Sequence, residues 1–138
     1  NINGSIFADY NNEKDFTDPN TFIYGHNMKN GSMFASLQNY KEQEFWEENS
    51  VINIYTPKGD FTAKIFSAYT TNATSTSYSF VYNNAYLNEI KNRAFIVSDI
   101  EVTTEDRIIT LSTCDYDFED ARMVVHAVIN KNNIRAND

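Results

Sequence analysis

Cysteine is almost absent from this chain: Cys114 is the single thiol in 138 residues. One thiol makes no internal disulfide, and no Cys/His cluster has zinc spacing, so no metal site is expected. A cytoplasmic protein fits that count, and so does an exported one built without disulfides. Positive charge is also short. The 11 Lys and Arg against 19 Asp and Glu leave a net charge of −8, which argues against nucleic acid and anionic membrane as partners. No run of about eighteen apolar residues is present to span a membrane, and no signal peptide is visible. The chain opens abruptly at "NINGSIFADY", as the middle of a domain would, so an upstream segment is expected to have been removed. No repeat and no linker divides the sequence, and its length suits one domain over 1–138.

Aromatic and β-branched residues dominate what is there, with 9 Tyr and 10 Phe. Strands are expected at 5–10, 21–27, 107–114 and 122–130. A hairpin is expected from 51–57 and 61–71 around Lys58-Gly59-Asp60. Met33, Phe34, Leu37 and Tyr40 follow helical spacing and predict one or two short helices over 33–48. Tyr86, Leu87, Ile90 and Ala94 share one side of a helix over 83–95, with Asn83 or Asn84 as its N-cap. The fold class is therefore mainly β: an antiparallel barrel or sandwich with short helices in its connections.

Cys114 ends the apolar run "RIITLSTC", the acidic loop "DYDFED" follows, and Arg122 opens "RMVVHAVIN". If the two strands pair antiparallel, residues at the hairpin mouth become neighbours about 4.5–5.5 Å apart at Cα. A guanidinium beside a thiol favours the thiolate and holds a carbonyl oxygen. A small buried hydrophobe is the competing reading of a lone cysteine. Only two histidines are available to serve it. His126 lies inside "MVVHAVI" and reads as a structural strand residue. His26 follows a strand, sits between Gly25 and Asn27, and opens a loop, where catalytic groups collect. Cysteine, histidine and arginine at strand ends make a coherent thiol site of nucleophile, acid/base and oxyanion donor.

These residues resemble the sortase family. "TLSTC" (110–114) matches its TLxTC signature, "YGHNM" (24–28) looks like its histidine loop, and Arg122 matches its arginine. The serine in "TLSTC", the "SIFADY…DF…TFIYGHNM" run and the helix before the cysteine strand look like class B. The resemblance implies a sortase-type β barrel and a cysteine transpeptidase at the outer face of a Gram-positive membrane. Such enzymes cut a C-terminal sorting motif of a secreted protein after Thr, hold it as a thioester, and pass it to an amine of the peptidoglycan precursor or cross-bridge. It implies Cys114, His26 and Arg122 as catalytic residues. Ser112, Thr113, Tyr24, Asn27 and Tyr86 are expected as substrate contacts, and no cofactor is implied. Family members carry an N-terminal anchor, and class B members add helices and early strands ahead of "SIFADY". Those are expected to be missing here, with membrane attachment only through the absent anchor.

Two alternatives stand beside this reading: a cysteine hydrolase on the same site, and a non-catalytic binding domain with Cys114 merely buried. The acidic runs 42–50 and 115–120 read as solvated faces. Asp115, Asp117, Glu119 and Asp120 lack the glycine and terminal glutamate of an EF-hand. Tyr78, Phe80, Tyr82 and Tyr86 read as core and hairpin packing, some of them lining a peptide groove. The abundance of Asn, Lys, Ile and Tyr suggests an AT-rich, clostridium-like source.

Overall fold

A computed structural model describes residues 5–7, 18–24, 36–56, 59–72, 82–114 and 119–129, with Ser5–Phe7, Thr56 and Cys114 described by backbone alone. Six strands form one sheet: β1 (Ser5–Phe7), β2 (Asn20–Tyr24), β3 (Val51–Thr56), β4 (Gly59–Asn72), β5 (Ile108–Cys114) and β6 (Ala121–Ile129). Their spatial order is β1-β3-β4-β6-β5-β2. The three central pairings are antiparallel, as expected. The two outer ones, β1 with β3 and β2 with β5, are parallel. Residue patterns do not report strand direction, and this mixed arrangement was not legible in them. Among the described residues the sheet is open, with β1 and β2 outermost.

The helices fall where periodicity placed them. A 3-10 turn (Leu37–Lys41) runs into α1 (Gln43–Glu48), and α2 spans Asn84–Arg93. The Asn83 side chain caps α2 by accepting from the Tyr86 amide at 2.9 Å, satisfying one of the helix's unpaired N–H groups. The β3–β4 turn is tighter than expected. Thr56 already pairs with Gly59, so Gly59 and Asp60 belong to the ladder, and the turn residues 57–58 lie outside the described residues. The expected strand ends at 8–10, 25–27 and 130 also lie outside them.

Both faces of the sheet are covered. On one, Leu37, Tyr40 and Trp46 pack over Ile52, Ile54, Ile65, Leu111 and Val125. On the other, Leu87 and Ile90 of α2 pack with Phe66, Tyr69, Ile108, Val124 and Val128. Coverage on both sides explains why β6 reads as a continuous buried run rather than an alternation. A bulge between Ile65 and Ser67 breaks the β4 register. Ala63 and Ile65 lie in the first core, and one extra residue later Tyr69 lies in the second. Strict alternation would have put Tyr69 on the face of Ile65.

α1 is tied by the Trp46 indole, which donates to the Ile65 carbonyl at 2.7 Å. The Gln43 amide donates to the Val97 carbonyl at 3.0 Å and accepts from its N–H at 2.8 Å. Below α2, the Tyr82 hydroxyl lies within hydrogen-bond reach of the carbonyls of Thr103 and Asp106, with one proton to give, and closes the connection into β5.

Leu111 is fully buried and Val97 is 80% exposed. Leu111→Ala should cost about 2–5 kcal/mol in urea unfolding, and Val97→Ala less than about 0.5 kcal/mol. Equal costs would show that the core is misassigned.

Candidate active site

β5 and β6 pair in one uninterrupted register: Thr110 opposite His126, Ser112 opposite Val124, Cys114 opposite Arg122. The thiol-bearing residue and the arginine are therefore direct cross-strand neighbours at the sheet end, as the hairpin reading required. The turn between them brings Asp120 to φ 62°, a left-handed conformation that Asp tolerates better than most residues. Asp115 and Asp117 lie outside the described residues, and Glu119 and Asp120 are exposed.

Arg122 is half-buried. Its Nη1 donates to the Ala121 carbonyl at 3.0 Å, and its guanidinium carbon lies 5.9 Å from the centroid of the Tyr24 ring. That range permits a cation–π contact. Tyr24 is itself 51% exposed. It ends β2, opposite Ser112 in a parallel register. The chain two residues short of His26 thus runs beside the chain two residues short of Cys114. His26 and Asn27 themselves lie outside the described residues.

Ser112 and Thr113 are buried in the strand. Among the described residues the Thr113 hydroxyl oxygen has no hydrogen-bond partner, an unusual state for a buried polar atom. Tyr86 sits farther from the pair. Its hydroxyl accepts from Asn20 Nδ2 at 3.2 Å, and its ring meets the His126 ring edge-on at 6.2 Å. His126 stands opposite Thr110, four residues and about 13 Å along β5 from Cys114.

A second guanidinium reaches this end of the sheet, and nothing in the sequence pattern singled it out. Arg93, in the last turn of α2, donates to the Thr71 hydroxyl at 3.3 Å, and Thr71 stands opposite Arg122. Its guanidinium carbon also lies 5.4 Å from the Tyr69 ring centroid. Only the fold reveals this, because 22 residues separate Arg93 from Thr71.

His126 is not built to shuttle protons. It is fully buried, and both ring nitrogens are engaged, Nε2 with the Tyr69 hydroxyl at 2.7 Å and Nδ1 with the Thr110 hydroxyl at 2.8 Å. Burial, assisted by the charge of Arg93, lowers its pKa from 6.5 to about 3. An imidazole without access to solvent and neutral at every ordinary pH does not act as a general acid.

A sortase-domain family model matches residues 3–130. The chain belongs to the sortase family. It is 39% identical to Sortase B of Listeria monocytogenes over 88% of its own length and 52% of the relative's. It is 37% identical to Sortase B of Staphylococcus aureus over 93% and 55%. The chain therefore spans about half the length of these sortase relatives. Among solved structures it resembles the S. aureus sortase B–substrate complex, with a TM-score of 0.74 and 34% identity over 85% of this chain and 56% of that one. Clostridium perfringens sortase B gives a TM-score of 0.73 and 36% identity, over 82% and 66%. The sortase-type β fold expected from the motifs is thus present. Among the described residues no helix is long and apolar enough to cross a membrane.

The lowered pKa of His126 has a definite sign. The unfolded chain takes up the proton near 6.5 and the folded chain near 3, so the stability gained from neutral His126 is complete above about pH 6.5 and drains away as pH falls toward 3. His126→Gln should be less stable than wild type at pH 7. The gap should narrow by up to about 1.4 kcal/mol per pH unit below 6, measured by urea unfolding at several pH values. A gap that stays constant from pH 7 to 4.5 would contradict the buried neutral imidazole.

Proposed function

We propose that residues 1–138 form one catalytic domain of a class B-type cysteine transpeptidase, which cleaves a sorting motif after Thr and transfers the acyl group to a cell-wall amine. The observation that carries this is the Cys114–Arg122 register pair in a chain of this family. The parallel β2–β5 register supports it, because it brings Tyr24, two residues before His26 in the chain, to the same sheet end. Secreted proteins with a C-terminal sorting motif and a peptidoglycan precursor or cross-bridge amine are the partners of this reading. The outer face of a Gram-positive membrane is its site of action. The S. aureus sortase B structure solved with a substrate is in keeping with a substrate-binding site in such proteins.

In the proposed mechanism the Cys114 thiolate attacks the carbonyl carbon of the scissile Thr. A tetrahedral oxyanion forms, and Arg122 donates hydrogen bonds to it without losing its charge. His26 gives a proton to the departing amine, the C–N bond breaks, and a thioester remains. An incoming amine attacks that thioester, His26 takes its proton, and Cys114 leaves as thiolate. In this reading Tyr24, Asn27, Ser112, Thr113 and Tyr86 are the contacts of an extended peptide. Through its ring contact Tyr24 also steadies the Arg122 guanidinium.

Internally quenched peptides bearing Thr at the cleaved position, incubated with and without an oligoglycine amine, test this reading. Wild type should give amine-dependent ligated product and a thioester adduct by mass spectrometry, and Cys114→Ala and His26→Ala should give neither. Cleavage that ignores the amine would make the enzyme a hydrolase, and an active Cys114→Ala variant would remove the thiol from the chemistry. Arg122→Lys separates charge from geometry. If the planar fork matters, Lys should fall with Ala, on the order of 100-fold down in kcat/KM. Near-wild-type turnover in Arg122→Ala would sink both roles.

A further inference from the structure

Five polar side chains are threaded through the second core, between α2 and the sheet. The Thr110 hydroxyl donates its one proton to Asn20 Oδ1 at 2.8 Å. It has none left for the imidazole, so it accepts from His126 Nδ1 at 2.8 Å. Nδ1 therefore carries the proton, and Nε2 accepts from the Tyr69 hydroxyl at 2.7 Å. Asn20, its oxygen occupied, donates through Nδ2 to the Tyr86 hydroxyl at 3.2 Å. The bonds run in one direction from β4 through β6, β5 and β2 to the first turn of α2. Phe66 stacks on the imidazole at 6.2 Å and Tyr86 meets its edge at 6.2 Å, so the ring is clamped as well as bonded.

The other end of α2 is tied to the same chain. Arg93 lies over the Tyr69 ring and donates to Thr71, which stands opposite Arg122. Between the two ends, the Ser67 hydroxyl donates to the Ile90 carbonyl at 2.5 Å. Tyr69 is thus shared, with its hydroxyl on His126 and its ring face under Arg93. Its presence on this face depends on the β4 bulge.

We propose that His126 is a positioning residue: protonated on Nδ1 alone, it is the central joint of a Tyr69–His126–Thr110–Asn20–Tyr86 chain that fixes the seat of α2 over the sheet face, and through Arg93 and Thr71 fixes the surroundings of the Arg122–Cys114 pair. With the Asn20 amide oxygen facing Thr110, the directional chain admits one imidazole tautomer. Reversing any link leaves a buried donor facing a donor or an acceptor facing an acceptor, which is costly in a dry core. The catalytic part of this inference rests on the transpeptidase reading above; the seating of α2 does not.

With only two histidines, the test is direct. Nitrogen-detected NMR of the His26→Ala protein leaves one imidazole, expected to show protonated Nδ1 and bare Nε2, unchanged from pH 8 to 5. Thr110→Val and His126→Phe interrupt the chain with little change in volume. Both should lose hydrogen-exchange protection in the α2 amides while those of β4–β6 stay protected, and should raise peptide KM on the order of tenfold, the cost of one hydrogen bond, with a smaller change in kcat. His126→Asn keeps a donor where Nδ1 stands and should restore part of the α2 protection. If His126→Phe fails to fold, the tautomer and Thr110→Val still decide. An Nε2-protonated or titrating ring overturns the proposal, as does uniform loss of protection across the sheet with KM unchanged. A wild type that turns over no peptide, but shows the expected tautomer and α2 response, would end the transpeptidase reading and leave the seating role standing.

Discussion

The antiparallel register of β5 and β6 is the constraint on which the rest depends. Side chains alternate with a period of two, so a slip of one residue would move every buried group on these strands to the opposite face. The register is held because both faces are apolar and covered: Leu111 and Val125 look into one core, Val124 and Val128 into the other. Ladder and cores together leave one way to align the strands, and that alignment sets Cys114 beside Arg122. Two residues facing each other at the mouth of a hairpin need no help from elsewhere to be neighbours. The approach of β2 does: the parallel β2–β5 pairing ends that strand at Tyr24, opposite Ser112.

Much of this was legible in the sequence because the signals are local. The two last strands are short runs of apolar and β-branched residues, α2 has its cap and its i, i+3 apolar pair, and the hairpin mouth follows from counting. The parallel outer pairs were not legible, because strand direction is fixed by tertiary connection and not by composition. Arg93 was missed for a similar reason. It occupies an ordinary last-turn position for a basic residue, also pairs with Glu89 at 3.3 Å, and acquires its second meaning only when Thr71 is brought under it. His126 was read correctly as structural from its valine neighbours, but its partners, 16 and 57 residues away, lay beyond any pattern.

The buried polar chain runs against the economy of the rest of the core. Each link contributes only about 0.5–1.5 kcal/mol net, and apolar replacements of similar shape would serve stability nearly as well. What such a chain supplies is uniqueness of arrangement, since apolar packing tolerates small shifts of a helix and directional hydrogen bonds do not. The β4 bulge belongs to the same design. One extra residue turns Tyr69 toward His126 and Arg93, and so links the helix to the strand that carries Arg122.

The central claim is the register itself, and cross-strand backbone NOEs in the labelled protein test it most directly. Contacts joining Thr110 with His126, Ser112 with Val124 and Cys114 with Arg122 are expected as one continuous series. A series displaced by one residue, with Cys114 opposite Ala121 or Met123, would separate the thiol from the arginine and contradict the account.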